Sequence, residues 1–257
     1  MEIQNRPIGV FDSGVGGISV LKEAIKLLPN ENFIYYGDSK NAPYGTKDVN
    51  EVKSLSFSVT DELIDRGIKA LVVACNTATS AAIIDLRKRY KIPIVGIEPA
   101  LKPAVLLGRK GKILIMATPM TLSEKKFYNL MKKYEDVAEI LPMPCPGLVE
   151  LIENGIFSGE KISSYLKEKL SPYIEYGIAA IVLGCTHYPF VKKEIGIIAK
   201  NVPIIDGSRG TAKQLKKKLT LIHLLNSSGK MGYVELHNSL EGNKMLDISS
   251  KLLNIEL

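Results

Sequence analysis

One passage of this chain occurs twice. Gly67-Ile-Lys-Ala-Leu-Val-Val-Ala-Cys75-Asn-Thr77 returns as Gly177-Ile-Ala-Ala-Ile-Val-Leu-Gly-Cys185-Thr-His187. Further on, Lys91-Ile-Pro93-Ile-Val95 returns as Asn201-Val-Pro203-Ile-Ile205, and the cysteine and the proline are both displaced by 110 residues. Such a repeat indicates a duplicated domain. Each copy ends a hydrophobic strand on one thiol. Two halves that face each other then set two thiols on opposite sides of one pocket, which suits chemistry that runs symmetrically in two directions.

The 257 residues allow one large domain or two of ordinary size. With 46% hydrophobic and 24% charged residues, the composition is that of a soluble globular protein. No apolar run approaches the roughly 20 residues that span a bilayer. The opening Met-Glu-Ile-Gln-Asn-Arg leads straight into a strand, so no signal peptide is expected and the expected compartment is the cytoplasm. The three cysteines form no CxxC pair and no metal-spaced Cys/His cluster, so they read as free thiols. Cys145, in Pro144-Cys-Pro146, lies outside the repeat and reads as a buried small hydrophobe. The net charge is +7. The densest basic run, Lys213-Gln-Leu-Lys-Lys-Lys218, lacks aromatic interleaving, so it reads as a solvated helix face and not as a nucleic-acid patch.

Strands and helices alternate throughout. Strands are expected at Ile8–Phe11, Asn32–Tyr36, Ala70–Ala74 and Ile92–Ile97 in the first copy. In the second they are expected at Lys112–Met116, Glu139–Met143, Ala179–Leu183 and Val202–Ile205. Helical spacing marks Ile18–Leu28, Val49–Arg66, a stretch from Asn76, Glu124–Tyr134 and Ser163–Tyr176. This alternation predicts parallel βαβ units with buried sheets. Gly207–Gly210 reads as a crossover. Thr211–Leu257 is too short for a domain: it holds a lysine-rich helix, a strand near Tyr233–Leu236 and a last helix, expected to pack back on the first copy. The expected division is residues 1–97 plus 208–257 as a first α/β domain and 98–207 as a second.

Ligands of parallel α/β sheets bind beyond the carboxyl ends of the strands. Four such ends carry polar or reactive groups: Asp12-Ser13, Cys75-Asn76-Thr77, Thr118 and Cys185-Thr186-His187. Only the thiolate of a cysteine is a good base. Both cysteines precede an expected helix start, at Asn76 and at Pro189, where free N–H groups stabilise an anion. His187, two residues after Cys185, is placed to relay a proton or orient the thiol. Asp12-Ser-Gly-Val-Gly-Gly17 resembles a dinucleotide fingerprint, with Asp38 as a ribose ligand. Ser19 at the third glycine and the negative Asp12 beside the pyrophosphate position count against that reading.

Four blocks together resemble the cofactor-independent aspartate/glutamate racemase superfamily, in its glutamate-acting branch. They are Gly9-Val-Phe-Asp-Ser-Gly-Val-Gly-Gly17, Tyr36-Gly-Asp-Ser-Lys-Asn-Ala-Pro-Tyr-Gly45, Ala74-Cys-Asn-Thr77 and Leu183-Gly-Cys-Thr-His-Tyr-Pro189. The resemblance runs from residue 8 to about 210. It implies two similar α/β domains, with mainly parallel sheets flanked by helices, related by a pseudo-twofold axis and holding the active site in the cleft between them. It implies interconversion of L- and D-glutamate by a two-cysteine proton transfer with no cofactor and no metal, supplying D-glutamate for peptidoglycan. By motif position Cys75 and Cys185 are the acid/base pair, assisted by Asp12, His187 and Glu153. Ser13, Tyr44, Gly45, Asn76, Thr77, Thr118, Thr121 and Thr186 correspond to substrate contacts. Gly17-Ile-Ser-Val20 and Ser39-Lys40-Asn41 depart slightly from the family's pattern, and the C-terminal portion matches weakly. A homodimer is expected, with no membrane or nucleic-acid partner. With few residues before the first strand, activation by a peptidoglycan precursor through an N-terminal extension is not expected. The competing readings are an aspartate racemase, a nucleotide-binding regulator or dehydrogenase built on the Gly14–Gly17 loop, and a non-catalytic binding module for acidic amino acids.

Overall fold

In the computed structural model, which describes residues 2–174 and 177–255, the strands form two separate all-parallel sheets. The first half runs β1 (Ile8–Asp12), α1 (Ile18–Leu27), β2 (Phe33–Gly37), α2 (Val49–Asp65), β3 (Ala70–Val73), α3 (Asn76–Arg89) and β4 (Ile94–Gly96). The second runs α4 (Leu101–Val105), β5 (Lys112–Ala117), α5 (Pro119–Ser123), α6 (Lys125–Lys132), β6 (Ile140–Pro144), α7 (Leu148–Glu153), α8 (Glu160–Ile174), β7 (Ile178–Leu183), α9 (Lys192–Ala199) and β8 (Ile204–Asp206). The chain then adds α10 (Ser208–Leu221), β9 (Val234–Asn238) and α11 (Lys244–Asn254).

Strand order gives the duplication its three-dimensional form. The sheets read β4-β3-β1-β2-β9 and β6-β5-β7-β8. Leaving out β9, each is the order second-first-third-fourth, so β1 corresponds to β5 and β3 to β7. The order reverses between first and third strands, and the ends of those strands open the crevice where ligands bind in such sheets. Asp12 and Cys75 therefore share one crevice, and Thr118 and Cys185 the other. The repeated glycines have the same task in both copies. Gly67 follows α2 at φ +78° and Gly177 follows α8 at φ +78°, a left-handed turn that ends a helix and is cheap only for glycine.

The cysteine-bearing strands, Ala-Leu-Val-Val and Ile-Ala-Ala-Ile-Val-Leu, are buried at every residue, as continuous apolar runs covered on both faces must be. Helix α2 starts at Asp48, whose carboxylate accepts the Asn50 N–H at 2.8 Å. It then buries Val52, Ser56, Val59, Thr60 and Leu63, one stripe at helical spacing. One apolar cluster joins the halves, bringing Val15 and Ile18 together with Leu148, Ile152 and Tyr188.

The C-terminal segment returns to the first sheet. β9 pairs with β2, Phe33 opposite Val234 through Gly37 opposite Asn238, and both α10 and α11 pack on α1. Buried Lys22 of α1 donates to the carbonyls of Leu252 and Leu253, at 3.1 and 2.8 Å, and of Ile255. A cation at the carboxyl end of α11 complements that helix's dipole. At the opposite end of the first sheet, Lys69 and Glu31 form a buried ion pair of 2.5 Å, and Glu31 also accepts the Asn226 N–H.

Some expectations shift. The Gly207–Gly210 crossover is helical: the chain leaves β8 of the second sheet, and Ser208–Gly210 is already the first turn of α10, which starts as Asp206 accepts the Ser208 N–H and packs on α1. The Asp38–Thr46 loop contains two short 3-10 turns, Ser39–Asn41 and Tyr44–Thr46. α4, α5 and α7 are helices of five or six residues, too short to show a period in sequence. Helix α8 begins three residues before Ser163; the expected end at Tyr176 lies outside the described residues. No helix among the described residues is long and apolar enough to cross a membrane.

Candidate active site

Cys75 and Cys185 line one small cavity between the halves, together with Ser13, Tyr44, Gly45, Asn76, Thr77, Thr118, Thr186 and His187. The room left inside is of the order of a single water molecule. Both thiols are free and nearly inaccessible, with 5% and 8% of their surfaces exposed.

The two thiols have different surroundings. Cys75 stands at the N-terminus of α3, where its sulfur accepts the Ala78 N–H at 3.4 Å. Its own S–H points at the Ser13 hydroxyl, 3.5 Å away. Burial, and next the negative charge of Asp12, push this thiol up to about 12, against the pull of Ala78 and Ser13. Cys185 does not cap an α-helix. Residues Tyr188–Val191 form a 3-10 turn after it, with Pro189 in its first turn, and α9 starts only at Lys192. Instead the Cys185 sulfur lies 3.6 Å from Nδ1 of His187. Nε2 of that ring donates to Glu153 at 2.6 Å. Burial is the largest single influence on His187 and disfavours its charge. The bonds to Cys185 and Glu153, with their charges, together outweigh it and hold the imidazole well above its ordinary range.

Asp12 is fully buried at the end of β1. Its carboxylate accepts the Gly14 N–H and the Thr186 hydroxyl, each at 3.0 Å, so it ties the first half to the second. Burial pushes its carboxyl above the usual carboxylate range, although His187, Gly14 and Thr186 pull the other way. Glu153 makes a second tie: the oxygen that receives His187 also accepts the Val15 N–H at 2.8 Å. The glycines of the loop permit this approach. A methyl group on Gly14 would overlap the Glu153 carboxylate, and one on Gly16 would overlap the His187 ring. Ser19 adds a third tie, its hydroxyl donating to the Thr186 carbonyl at 3.0 Å.

The remaining expected residues fall around the same space. Thr77, Thr118 and Thr121 bring three hydroxyls together, at 3.2, 3.1 and 2.9 Å. Gly45 packs against Thr118. The Tyr44 hydroxyl donates to Asp38 at 2.6 Å, so this residue offers the cavity its backbone and ring. Asn76 is 4% exposed, and neither its amide nitrogen nor its oxygen has a partner. A buried, unpartnered amide costs free energy unless a ligand completes it. Pro43, Val149 and Gly184 also line the cavity. Pro43 belongs to a motif block already quoted; nothing in the sequence marks Val149, an apolar residue of a short helix.

The nucleotide reading does not fit this geometry. Glu153 takes the Val15 N–H that a pyrophosphate needs, and Asp38 is buried and bonded to Tyr44 and Asn41. A roomier cleft at the ends of β4 and β8 is lined by Arg87, Lys102, Lys133, Arg209, Lys213 and Lys218 but holds no thiol or imidazole. Among the described residues, no group of three or more His, Cys, Asp or Glu is placed to hold a metal ion.

Two mirrored α/β halves with a thiol facing in from each define a class of isomerase. The chain belongs to the Asp/Glu/hydantoin racemase family, whose model matches residues 9–215. Within that family it is similar to the glutamate racemase of Clostridium acetobutylicum, 65% identical over 256 residues that span 99% of this chain and 100% of the relative. It is 60% identical to the glutamate racemase of Clostridium botulinum, over the full length of both. Its fold is similar to the crystal structure of glutamate racemase from Francisella tularensis in complex with D-glutamate. That match has a TM-score of 0.85 and 33% identity, covering 99% of this chain and 96% of the other.

Proposed function

We propose that this protein interconverts L- and D-glutamate without a cofactor, by proton transfer between Cα and two thiols. The observation that carries the reading is the placement of Cys75 and Cys185 in one cavity, one from each half. The 60–65% identity to glutamate racemases supports the choice of glutamate. In the same proposal residues 1–97 with 208–257, and residues 98–207, are the two domains. The product serves peptidoglycan synthesis in the cytoplasm, and the working form is a homodimer.

The mechanism follows from the chemistry of Cα. That proton is weakly acidic, and a carbanion beside a carboxylate is unstable. One face must meet a thiolate while the other meets a thiol, and the two exchange roles when the reaction reverses. Cys185 takes the proton from L-glutamate and Cys75 from D-glutamate. Asp12, His187 and Glu153 assist them. The unpartnered amide of Asn76, the first N–H groups of α3 and the hydroxyls of Thr77, Thr118 and Thr121 suit a carboxylate whose charge grows in the transition state, and Thr186 lines the same space. Ser13 and the backbone at Tyr44–Gly45 complete the contacts. The cavity is too small for an amino acid as it stands, so the halves part for entry and close for reaction, excluding water.

The test is proton NMR and circular dichroism in D2O, with L- and then D-glutamate and no added cofactor. Loss of the α-proton and of optical activity from either side is expected. Retention of both, with reduced thiols, overturns the reading; faster loss with L-aspartate transfers it to aspartate.

A further inference from the structure

The glycine loop after β1 has the look of a phosphate cradle, yet a tyrosine sits at its centre. Tyr35 stands on β2 with none of its surface exposed. Its hydroxyl donates to the Gly14 carbonyl at 2.6 Å, and the Gly17 N–H bears on the same phenol oxygen. One oxygen therefore fastens both ends of Gly14–Gly17. Burial, and next the negative charges of Asp12 and Glu153, push this phenol well above its ordinary range, so the donor keeps its proton. The ring belongs to the apolar cluster that joins the halves. Phenylalanine would fill that space equally well, so packing gives no reason for the hydroxyl. The Gly14 carbonyl is also pressed against β2: a methyl group on Gly37 would fall 2.5 Å from its oxygen.

The peptide group held in this way faces the second half. Its carbonyl end rests on Tyr35, and its other end, the Val15 N–H, donates to Glu153 at 2.8 Å. Beside it Gly16 lies against the His187 ring, and Ser19 donates to the Thr186 carbonyl. The second copy has no such post. The Ala74 N–H reaches Phe11 as the Gly184 N–H reaches Met116, which aligns β1 with β5. In that alignment Tyr35, opposite Val10, corresponds to Pro142, opposite Ile115. Proline offers no hydroxyl, and β5 leads into helix α5 at Pro119 where β1 leads into the glycine loop. We infer that Tyr35 is a positioning residue: its hydroxyl is the post round which the Gly14–Gly17 loop is wound, and it fixes the face on which the second half closes. The inference rests on the racemase reading of the cleft. Tyr35 is not among the residues that line the thiol cavity, so it acts on the substrate through the loop alone. Without the hydroxyl the Gly14–Val15 peptide can turn, and the loop no longer meets Glu153, His187 and Thr186 together.

The test compares Tyr35→Phe with wild type, as the full chain, by racemisation kinetics and by hydrogen–deuterium exchange read by peptide mass spectrometry. Loss of one neutral buried hydrogen bond from the closed state should lower kcat by about three- to tenfold from either enantiomer, with KM within about twofold of wild type. Amides of residues 13–19 should exchange faster, while those of β1 and β2 keep their rates. Gly37→Ala pushes the same carbonyl from β2 and leaves the hydroxyl in place. It should speed the same amides, and it carries the test alone if Tyr35→Phe does not fold. Wild-type kcat in Tyr35→Phe overturns the inference. Exchange that rises equally in the loop, β1 and β2 also overturns it, because that marks general loosening. A loss confined to KM overturns it too, because that makes Tyr35 a substrate contact. If the wild-type protein racemises no acidic amino acid while the loop alone loosens in Tyr35→Phe, the functional reading falls and the post remains. Normal wild-type racemisation with an unaltered loop in both variants removes the post alone.

Discussion

Gly14→Ala tests whether the cross-half contacts matter for function. Gly14 is not one of the left-handed glycines, so backbone conformation is no obstacle to alanine. The obstacle is Glu153: an added Cβ overlaps its Oε1 and falls 2.7 Å from its Cδ. The carboxylate must swing away, and the atom that moves holds both the Val15 N–H at 2.8 Å and His187 at 2.6 Å. Hydrogen bonds to charged groups are worth about 1.5–3 kcal/mol each. Losing one from the closed reactive state lowers kcat/KM by about ten- to a hundredfold. Glu153 is partly exposed and regains water, so the melting temperature should fall little. The assay is circular dichroism of racemisation in both directions. The enantiomers have equal free energy, so the loss must be equal from the two sides. Adding Glu153→Gln to Gly14→Ala should cost little more, because the same contact is already gone. Unchanged kcat/KM in a folded Gly14→Ala protein, or full additivity of the two substitutions, would refute the reasoning.

Either Cys75→Ala or Cys185→Ala is expected to abolish racemisation, while a single Cys→Ser variant still eliminates a leaving group from one enantiomer of a β-substituted analogue; normal racemisation by both alanine variants would refute the two-thiol scheme. Asp12→Asn should raise the melting temperature at neutral pH while depressing activity. The folded-state pKa of Asp12 lies above its unfolded value, so its ionised form opposes folding above that range, and the advantage of Asn should shrink as pH falls through it. For His187 the sign is opposite. Its folded pKa is raised, so the stability it contributes is full below its unfolded pKa and is lost as pH rises through the folded one; urea titrations of wild type and His187→Asn should converge on the alkaline side. Lys69→Met leaves Glu31 buried without its partner and should destabilise the fold by about 3–5 kcal/mol, measured by denaturant unfolding, with kcat per folded molecule unchanged.

What the sequence discloses here follows the range of the interactions. The thiols, their strands and the helix after Cys75 are local, and the short runs that are apolar at every residue before Cys75 and Cys185 read as buried parallel strands, which they are. The repeat then supplies the long-range fact that both strands occupy the same place in their sheets. The placement of Glu153 was visible only through family resemblance, because its partners Val15 and His187 are far away in sequence and α7 is too short to have a period. Asp12 marks the limit of motif reading. Its position implied assistance to the thiols, but its hydrogen bonds run to Gly14 and Thr186, and its influence on Cys75 is a charge acting through buried space. Val149 and the hydroxyl of Ser19 were silent for the same reason: each matters only once the halves are opposed. A duplication makes two copies of a strand and a thiol. The residues the copies do not share give those thiols different surroundings, Ser13 beside Cys75 and His187 with Glu153 beside Cys185.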